Sequence, residues 1–516
     1  MFSRFLYRNI APFLVFLTLA AFSWICGGGR SEYLRPVMPW LWALLCEALF
    51  FFPQRHGYED VVMARQRVWR GLARDPVMWC TIVFLAVLVM PLMNHGLCPV
   101  CDYPAIMAGA DPKPLVPFAP FCVNISHHYA VVVWFVPALT ATLAVRHAFL
   151  KDGKRAFLEM AVWNSAALVV LGFVQQMTGA TAPLWENTSE RAYFFSSFGY
   201  PNKGGAFFTM SFALAFGLWR HRSRMVDEMK PIDPNSSSVH EQQVRRFIYA
   251  NYMMVPMALC FFGALCTLSR AAILLSFVLA GLGFLYVFCE MLFSRHGRAR
   301  RVKRAAITVV GGMAMLVVAH VFAPADLGKE LDTLSGTAVI DRVSGKAQYH
   351  TRVATEVFKA YPLFGVGGWG YRHFCIPFMR EDELAQLQTV GGTNVHNDYL
   401  QFLAEHGAVG AGALFGIWML LVVPIFRMWG KLYKVARFSK REEAPSRPTA
   451  VYALPAPAFW ALAGCAAVLV HAFGDCPMRS PAVLTLFMTS LACADGFMPR
   501  TEEDDDDFEV EGEEEA

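Results

Sequence analysis

The sequence predicts an all-α polytopic membrane protein of about twelve transmembrane helices, with one long helical extracytoplasmic loop between helices 9 and 10. Three observations predict it. The 516 residues are 56% hydrophobic and only 17% charged, whereas soluble globular chains carry ~25% charged residues; mean hydropathy is +0.38. Apolar stretches near the ~20 residues needed to cross a bilayer recur along the chain. Basic residues alternate between the connecting segments.

The apolar stretches fall at 9–27, 36–53, 76–94, 128–146, 157–177, 203–219, 248–268, 271–291, 305–323, 408–426, 456–474 and 480–497. The first reads as a retained signal anchor, because Ser23-Trp24-Ile25-Cys26 offers no small-x-small cleavage site and another span follows at once. With the N-terminus inside, about two-thirds of the 45 Lys and Arg fall on inner segments, as short loops obeying the positive-inside rule require. These are Arg4 and Arg8, Arg55 to Arg74, Arg146 to Arg155, Arg220 to Arg246, Arg295 to Arg304, Arg427 to Arg447, and Arg500. Both termini are therefore expected in the cytoplasm.

Residues 1–498 are expected to form one membrane domain, with its large outer loop at 324–407. The segment 220–247, carrying Pro231, Pro234 and three serines, reads as a linker. Residues 499–516 read as a disordered acidic tail, since a block such as Glu502 to Asp507 repels itself and buries nothing.

Of 13 cysteines, Cys98, Cys101, Cys122, Cys375 and Cys476 fall outside the spans. Cys98-Pro99-Val100-Cys101 has neither a second CxxC nor a βαβ context, so a structural disulfide among Cys98, Cys101 and Cys122 is the simpler expectation in an oxidising compartment. His127 and His128 are read as interfacial residues at the head of a span, with zinc as the lesser option.

In the long loop, 341–360 reads as a helix ended by Tyr361-Pro362. Helical spacing puts Tyr349, Arg352, Glu356 and Lys359 on one face and Val353, Val357 and Ala360 on another. Gly365-Val366-Gly367-Gly368-Trp369-Gly370 matches GxGxxG literally. No strand precedes it and the outer face has no nucleotide pool, so it reads as a glycine turn past which another backbone runs. A polar helix at about 380–389 follows, and His396-Asn397-Asp398 leads helically into the tenth span.

Four ordered segments resemble the O-antigen ligase and O-antigen polymerase superfamily of membrane glycosyltransferases. Phe194-Phe195-Ser196-Ser197-Phe198-Gly199-Tyr200-Pro201-Asn202 resembles its Gly-Thr-Phe-Gly-Asn-Pro-Asn segment, with Tyr200 standing for the Asn. Thr267-Leu268-Ser269-Arg270-Ala271-Ala272 is similar to its Ser-Arg-Gly junction, with Ala271 for the Gly. Tyr361-Pro362-Leu363-Phe364-Gly365-Val366-Gly367 resembles its Pro-Leu-Phe-Gly-Val-Gly turn. His396-Asn397-Asp398-Tyr399-Leu400-Gln401, with Glu405-His406-Gly407 and Gly410, resembles its His-Asn-x-x-Leu-Gln…Glu-x-Gly-x-x-Gly element. The first 150 residues and the tail carry no such motif.

The resemblance implies a GT-C-like enzyme of the bacterial inner membrane. It would move an oligo- or polysaccharide from undecaprenyl diphosphate to a periplasmic acceptor, foremost as an O-antigen ligase acting on lipid A-core. An O-antigen polymerase or a protein O-oligosaccharyltransferase shares the same outline. The bilayer is the expected setting; neither a cofactor nor a nucleic-acid partner is expected.

Glycosyl transfer passes through an oxocarbenium-like state while negative charge grows on the departing diphosphate. No paired carboxylates are evident outside near a span, so arginine forks are expected to hold that charge without a metal. Arg191, Arg270 and Arg352 are the candidates, with Lys203 behind them. Each also has a plain reading: Arg270 as a headgroup anchor, Arg352 as the partner of Glu356, Arg191 as a polar-loop charge. His396 is the candidate base, since imidazole near its ordinary pKa of ~6.5 accepts a hydroxyl proton; the plain reading is a histidine at a helix start capped by Asn397 or Asp398. His350, His373 and His406 have weaker claims. Asn202, Asn397 and Glu405 are expected to bind a sugar hydroxyl or orient the loop. A transporter or lipid-linked sugar flippase is the competing class, but its mid-membrane charges are sparse here. A structural scaffold leaves the glycine turn and the His-Asn element unexplained.

Overall fold

The computed structural model describes residues 10–25, 31–56, 59–94, 114–186, 193–229, 238–293, 350–384, 394–438 and 454–497. Among these the structure is helical, and the one β-type pairing is the isolated bridge between Phe195 and Phe198. Helices α1 (Ile10–Trp24), α2 (Ser31–Cys46, continued by a π turn), α3 (Val61–Arg74), α4 (Pro76–Val89), α5 (Ile125–His147) and α6 (Lys151–Met177) form the first half. Then come α7 (Pro201–Glu228), α8 (Val239–Asn251), α9 (Met254–Cys266), α10 (Arg270–Phe293) and α11 (350–360). The short α12 (Tyr371–Phe374), long α13 (Asp398–Phe438), α14 (Ala456–His471) and α15 (Pro481–Ala494) complete the order.

Five helical stretches are long and apolar enough to cross a membrane, or six if the 68° pair α3 and α4 counts as one span. Shorter apolar helices lie at Ile10–Trp24, Pro36–Phe51, Ala456–His471 and Pro481–Phe497. The apolar stretch at 305–323, the cysteines Cys98 and Cys101, the first part of the 341–360 helix and the acidic tail lie outside the described residues.

Helix α5 is buried along most of its length, whereas α10 turns Leu274, Phe277, Val278, Phe284, Leu285 and Phe288 outward. In lipid such an apolar outer face costs nothing, so packing falls to close contact and to hydrogen bonds between helices. Gly217 of α7 lies where a Cβ would come within 2.9 Å of Trp460 in α14, letting those two helices approach. Ser165 and Ser211 bond at 2.8 Å, Thr209 and Ser276 at 2.9 Å, and Trp24 donates to Asn164 at 2.7 Å.

The 220–247 segment is not simply a linker. Helix α7 runs on to Glu228 and α8 starts at Val239. Arg220 and Arg224 both bond Glu290 of α10, at 2.6 and 3.0 Å, and Arg222 pairs with Glu159, so these charges extend the helix rather than end it.

The long loop shares a second apolar core with the segment before α5, where Phe121 packs with Val353, Val357, Val366, Tyr371 and Phe374 and their neighbours. Val353 and Val357 of α11 face inward as the spacing predicts, but Ala354 is buried in place of Ala360, which is exposed. A single helical turn at 381–384 is described from the predicted 380–389 helix.

Candidate active site

Four loops converge at one end of the bundle. The first is Tyr200-Pro201-Asn202, where proline at the first helical position needs no backbone donor and starts α7. The second is the α9–α10 junction: Leu268 turns the chain at φ 55°, and Ser269 Oγ accepts from Ala272 N at 3.4 Å. The third is the glycine turn, and the fourth is His396-Asn397, where Asn397 Oδ1 caps α13 by accepting from Leu400 N at 3.1 Å.

The glycine turn docks into a break in α13. Gly407 has φ 63° and ψ −172°, and an added Cβ would lie 2.3 Å from Leu363. Gly365, at φ 66°, faces the carbonyl carbon of Glu405 in the same way, at 2.4 Å. Only glycine tolerates both the left-handed backbone and that approach. Four backbone bonds seal the contact: Val366 N to Ala404 O, Gly367 N to Glu405 O, Ala408 N to Pro362 O and Val409 N to Leu363 O, at 3.1, 2.8, 2.8 and 3.0 Å. His128 belongs to the same joint and is buried rather than interfacial, accepting from Gly368 N at 2.7 Å and donating to Leu88 O. Cys122 donates its thiol hydrogen to Pro91 O.

The hub where the loops meet is Asp475, a residue that sequence reasoning missed. It lies in the short turn between α14 and α15 and is 5% exposed. Its carboxylate accepts from Tyr200 Oη at 3.1 Å, from Asn202 Nδ2 and from Cys476 N at 2.7 Å, and faces His396 Nδ1 at 3.3 Å. Asn202 Oδ1 in turn accepts from Ser269 Oγ at 2.5 Å. Burial pushes the Asp475 carboxyl up, but the His396 hydrogen bond and charge outweigh it and hold the group below the usual carboxylate range.

His396 has φ 54°, a left-handed conformation that costs a non-glycine residue of order 1–3 kcal/mol and concentrates at functional sites. Its side chain is 45% exposed above the buried carboxylate. With the carboxylate accepting, Nδ1 carries the proton and Nε2 is the unprotonated nitrogen of the neutral ring, the tautomer a general base requires.

Arg270, the first residue of α10, directly follows Ser269 and so adjoins the hub. Lys203, on the first turn of α7, lies within electrostatic reach of Asp475, Asp398 and Arg479. Arg352 bonds Glu356 at 2.8 Å, Phe378 O at 3.2 Å and Glu383, tying α11 to the 381–384 turn. Glu405 is fully buried and forms a two-pronged pair with Arg479 at 2.7 and 3.0 Å, also accepting from Gln401 and from Trp369 N. Arg191 lies outside the described residues.

One premise of the sequence reading is revised: carboxylates do gather at span ends. Asp398 is buried at the start of α13 and accepts from Met478 N at 2.7 Å, so the same turn that carries Asp475 covers it. Among the described residues, no three His, Cys, Asp or Glu side chains are grouped as a ligand set. Below the hub an apolar cavity of about 560 Å³ opens between α13, α14 and α15, lined by Tyr399, Trp418, Phe426, Phe459, Leu469 and Phe487 among others.

Among the described residues the fold is all-helical, with helices apolar and long enough to cross a membrane, and its loops assemble one polar cluster. Residues 255–415 match the family described as O-Antigen ligase, a match that supports kinship with the O-antigen ligase superfamily over that stretch. Three of the four converging segments fall in that stretch; Tyr200-Pro201-Asn202 lies before it. No curated protein matches the chain.

Proposed function

We propose that the protein transfers an oligo- or polysaccharide from undecaprenyl diphosphate to an acceptor on the periplasmic face of the inner membrane, as an O-antigen ligase acting on lipid A-core. The reading is supported foremost by the strained, accessible His396 held on a buried Asp475. In it, His396 Nε2 takes the acceptor hydroxyl proton and Asp475 stabilises the imidazolium that forms. Arg270 and Arg191 neutralise charge on the departing diphosphate, with Lys203 beside them, and the reaction proceeds without a metal. Asn202 and Asn397 hold the loop or a sugar hydroxyl in place. The apolar cavity beside α13 suits the isoprenoid chain of such a donor, because hydrocarbon enters a site with no polar group to desolvate.

In this reading all twelve predicted spans cross the bilayer, both termini lie in the cytoplasm and the 324–407 loop faces outward. The deciding experiment complements a strain lacking the gene and follows the acceptor. Unglycosylated lipid A-core should accumulate with His396→Ala and disappear with the parent. Normal lipopolysaccharide in the deletion strain, with some other glycan or protein left bare, would reject the ligase assignment.

A further inference from the structure

The turn after the glycines carries Trp369-Gly370-Tyr371-Arg372-His373. Trp369, at φ 57°, is held by its backbone N–H on Glu405 Oε2 at 3.0 Å. Two guanidinium groups lie over its indole ring: Arg479 at 4.0 Å from the centroid and Arg372 at 4.4 Å. Glu405 is hydrogen-bonded to Arg479 alone of the two. Arg372 makes no side-chain hydrogen bond among the described residues, and its Nε is buried without a partner. Two cations therefore face one hydrogen-bonded carboxylate; Asp398 is a further acid within reach of Arg479, and Lys203 a further cation.

The remaining neighbours do not correct the imbalance. His373 stacks on His127 with 2.7 Å between ring nitrogens, and burial, then the charges of His127 and Arg372, hold it near 4, so near neutral pH the ring is uncharged and does not offset the two cations. Cys375 and Cys476 are pushed up by burial and stay neutral. A half-buried guanidinium set over an aromatic ring, with no side-chain hydrogen bond among the described residues, costs the folded protein desolvation that an anionic ligand would offset. The place is close to the hub: Cys476 donates its backbone N–H to Asp475, and Arg479 follows in the same turn.

We propose that Arg372, seated on Trp369 and backed by the Glu405–Arg479 pair, binds a phosphate oxygen of a lipid-linked substrate. The planar fork matches two oxygens of a tetrahedral phosphorus, which a point-like ammonium does not. The inference rests on the glycan-transfer reading only for the identity of the lipid. The phosphate belongs either to the polyprenyl diphosphate donor or to a phosphorylated acceptor lipid.

The test measures binding, not transfer, so it stands apart from the catalytic assignment. The purified full chain in detergent is titrated calorimetrically with inorganic diphosphate. Arg372→Gln should weaken binding roughly tenfold to a hundredfold, the worth of a charged hydrogen bond, at an unchanged melting temperature. Arg372→Lys should fall between, and it decides the matter if the glutamine variant does not fold. Nanodiscs containing undecaprenyl diphosphate or phosphorylated lipid A then separate the sources: the lipid whose binding drops in the variant is the one held. Equal binding by the parent and both Arg372 variants would overturn the proposal.

Discussion

His396 Nδ1 faces Asp475 Oδ1 at 3.3 Å across the mouth of the loop cluster, an exposed imidazole on a buried carboxylate. The pair fixes one tautomer and supplies the charge that an imidazolium needs as it forms. Removing the ring by His396→Ala should slow transfer by ~10²–10⁴-fold, the usual worth of a general base, with the protein still folded. Asp475→Asn should also lower the plateau rate, and should move the acidic limb of the rate profile to lower pH, because the neutral amide no longer favours the charged ring. Rate-versus-pH curves on the three proteins check both. An acidic limb that stays in place in Asp475→Asn would uncouple the two residues. Activity of the parent that falls with rising pH would make His396 a proton donor instead.

Arg270 begins α10 one residue after Ser269, whose hydroxyl is tied through Asn202 to Asp475. If its fork holds the departing diphosphate, Arg270→Ala should cost on the order of 10²-fold in kcat, the worth of one preorganised donor to a developing oxyanion. Arg270→Lys should cost less, since it keeps the charge and loses the fork. Wild-type kinetics in both, at matched protein levels, would leave Arg270 as a headgroup anchor.

Hydropathy made eleven of the twelve apolar stretches legible as helices among the described residues, because apolar runs need only composition to be seen; five or six are long and apolar enough to cross a membrane. The glycine turn was legible as a turn but its partner was not: what Gly365 and Gly407 admit is another backbone some forty residues away in sequence, and no local pattern marks that crossing. Asp475 escaped for the same reason. A single acid in a short turn between spans looks like ordinary loop polarity, and its contacts reach 79 residues back to His396 and 273 back to Asn202. The signal available was the pair of opposite charges, Asp475 and Arg479, in a short turn that has few other residues. The prolines and serines of 220–247 suggested a linker, while the ion pairs that extend α7 lie on α6 and α10, beyond any window centred on the segment.

Acid should destabilise the loop domain. Burial holds His350 and His373 down to about 4 from 6.5, aided by the charge of His396 on the first and of His127 and Arg372 on the second. As pH falls below about 6.5 the unfolded chain takes up protons that the folded chain refuses until near 4. Stability from these groups is therefore complete above 6.5 and is lost across that window. Melting temperatures measured from pH 7.5 to 4.5 should fall on the acidic side, and His373→Gln should give a shallower slope. An unchanged slope would show that His373 charges without opening the structure.

Glu405 separates a substrate contact from a structural pin. Its carboxylate is fully buried, and its bonds to Arg479, Gln401 and Trp369 N hold the break in α13, the turn between α14 and α15 and the glycine turn together. Deleting one member of a buried ion pair leaves the other charge stranded, at a cost of ~3–5 kcal/mol. Glu405→Leu and Arg479→Leu should each lower the melting temperature sharply, and the double variant should recover much of the loss because neither charge remains. A sugar-binding carboxylate would behave otherwise: Glu405→Gln would raise KM for the acceptor while the melting temperature stayed where it was. Thermal melts of the two single variants and the double, set beside acceptor kinetics of Glu405→Gln, separate these roles, and additive losses in the double variant would sink the pin.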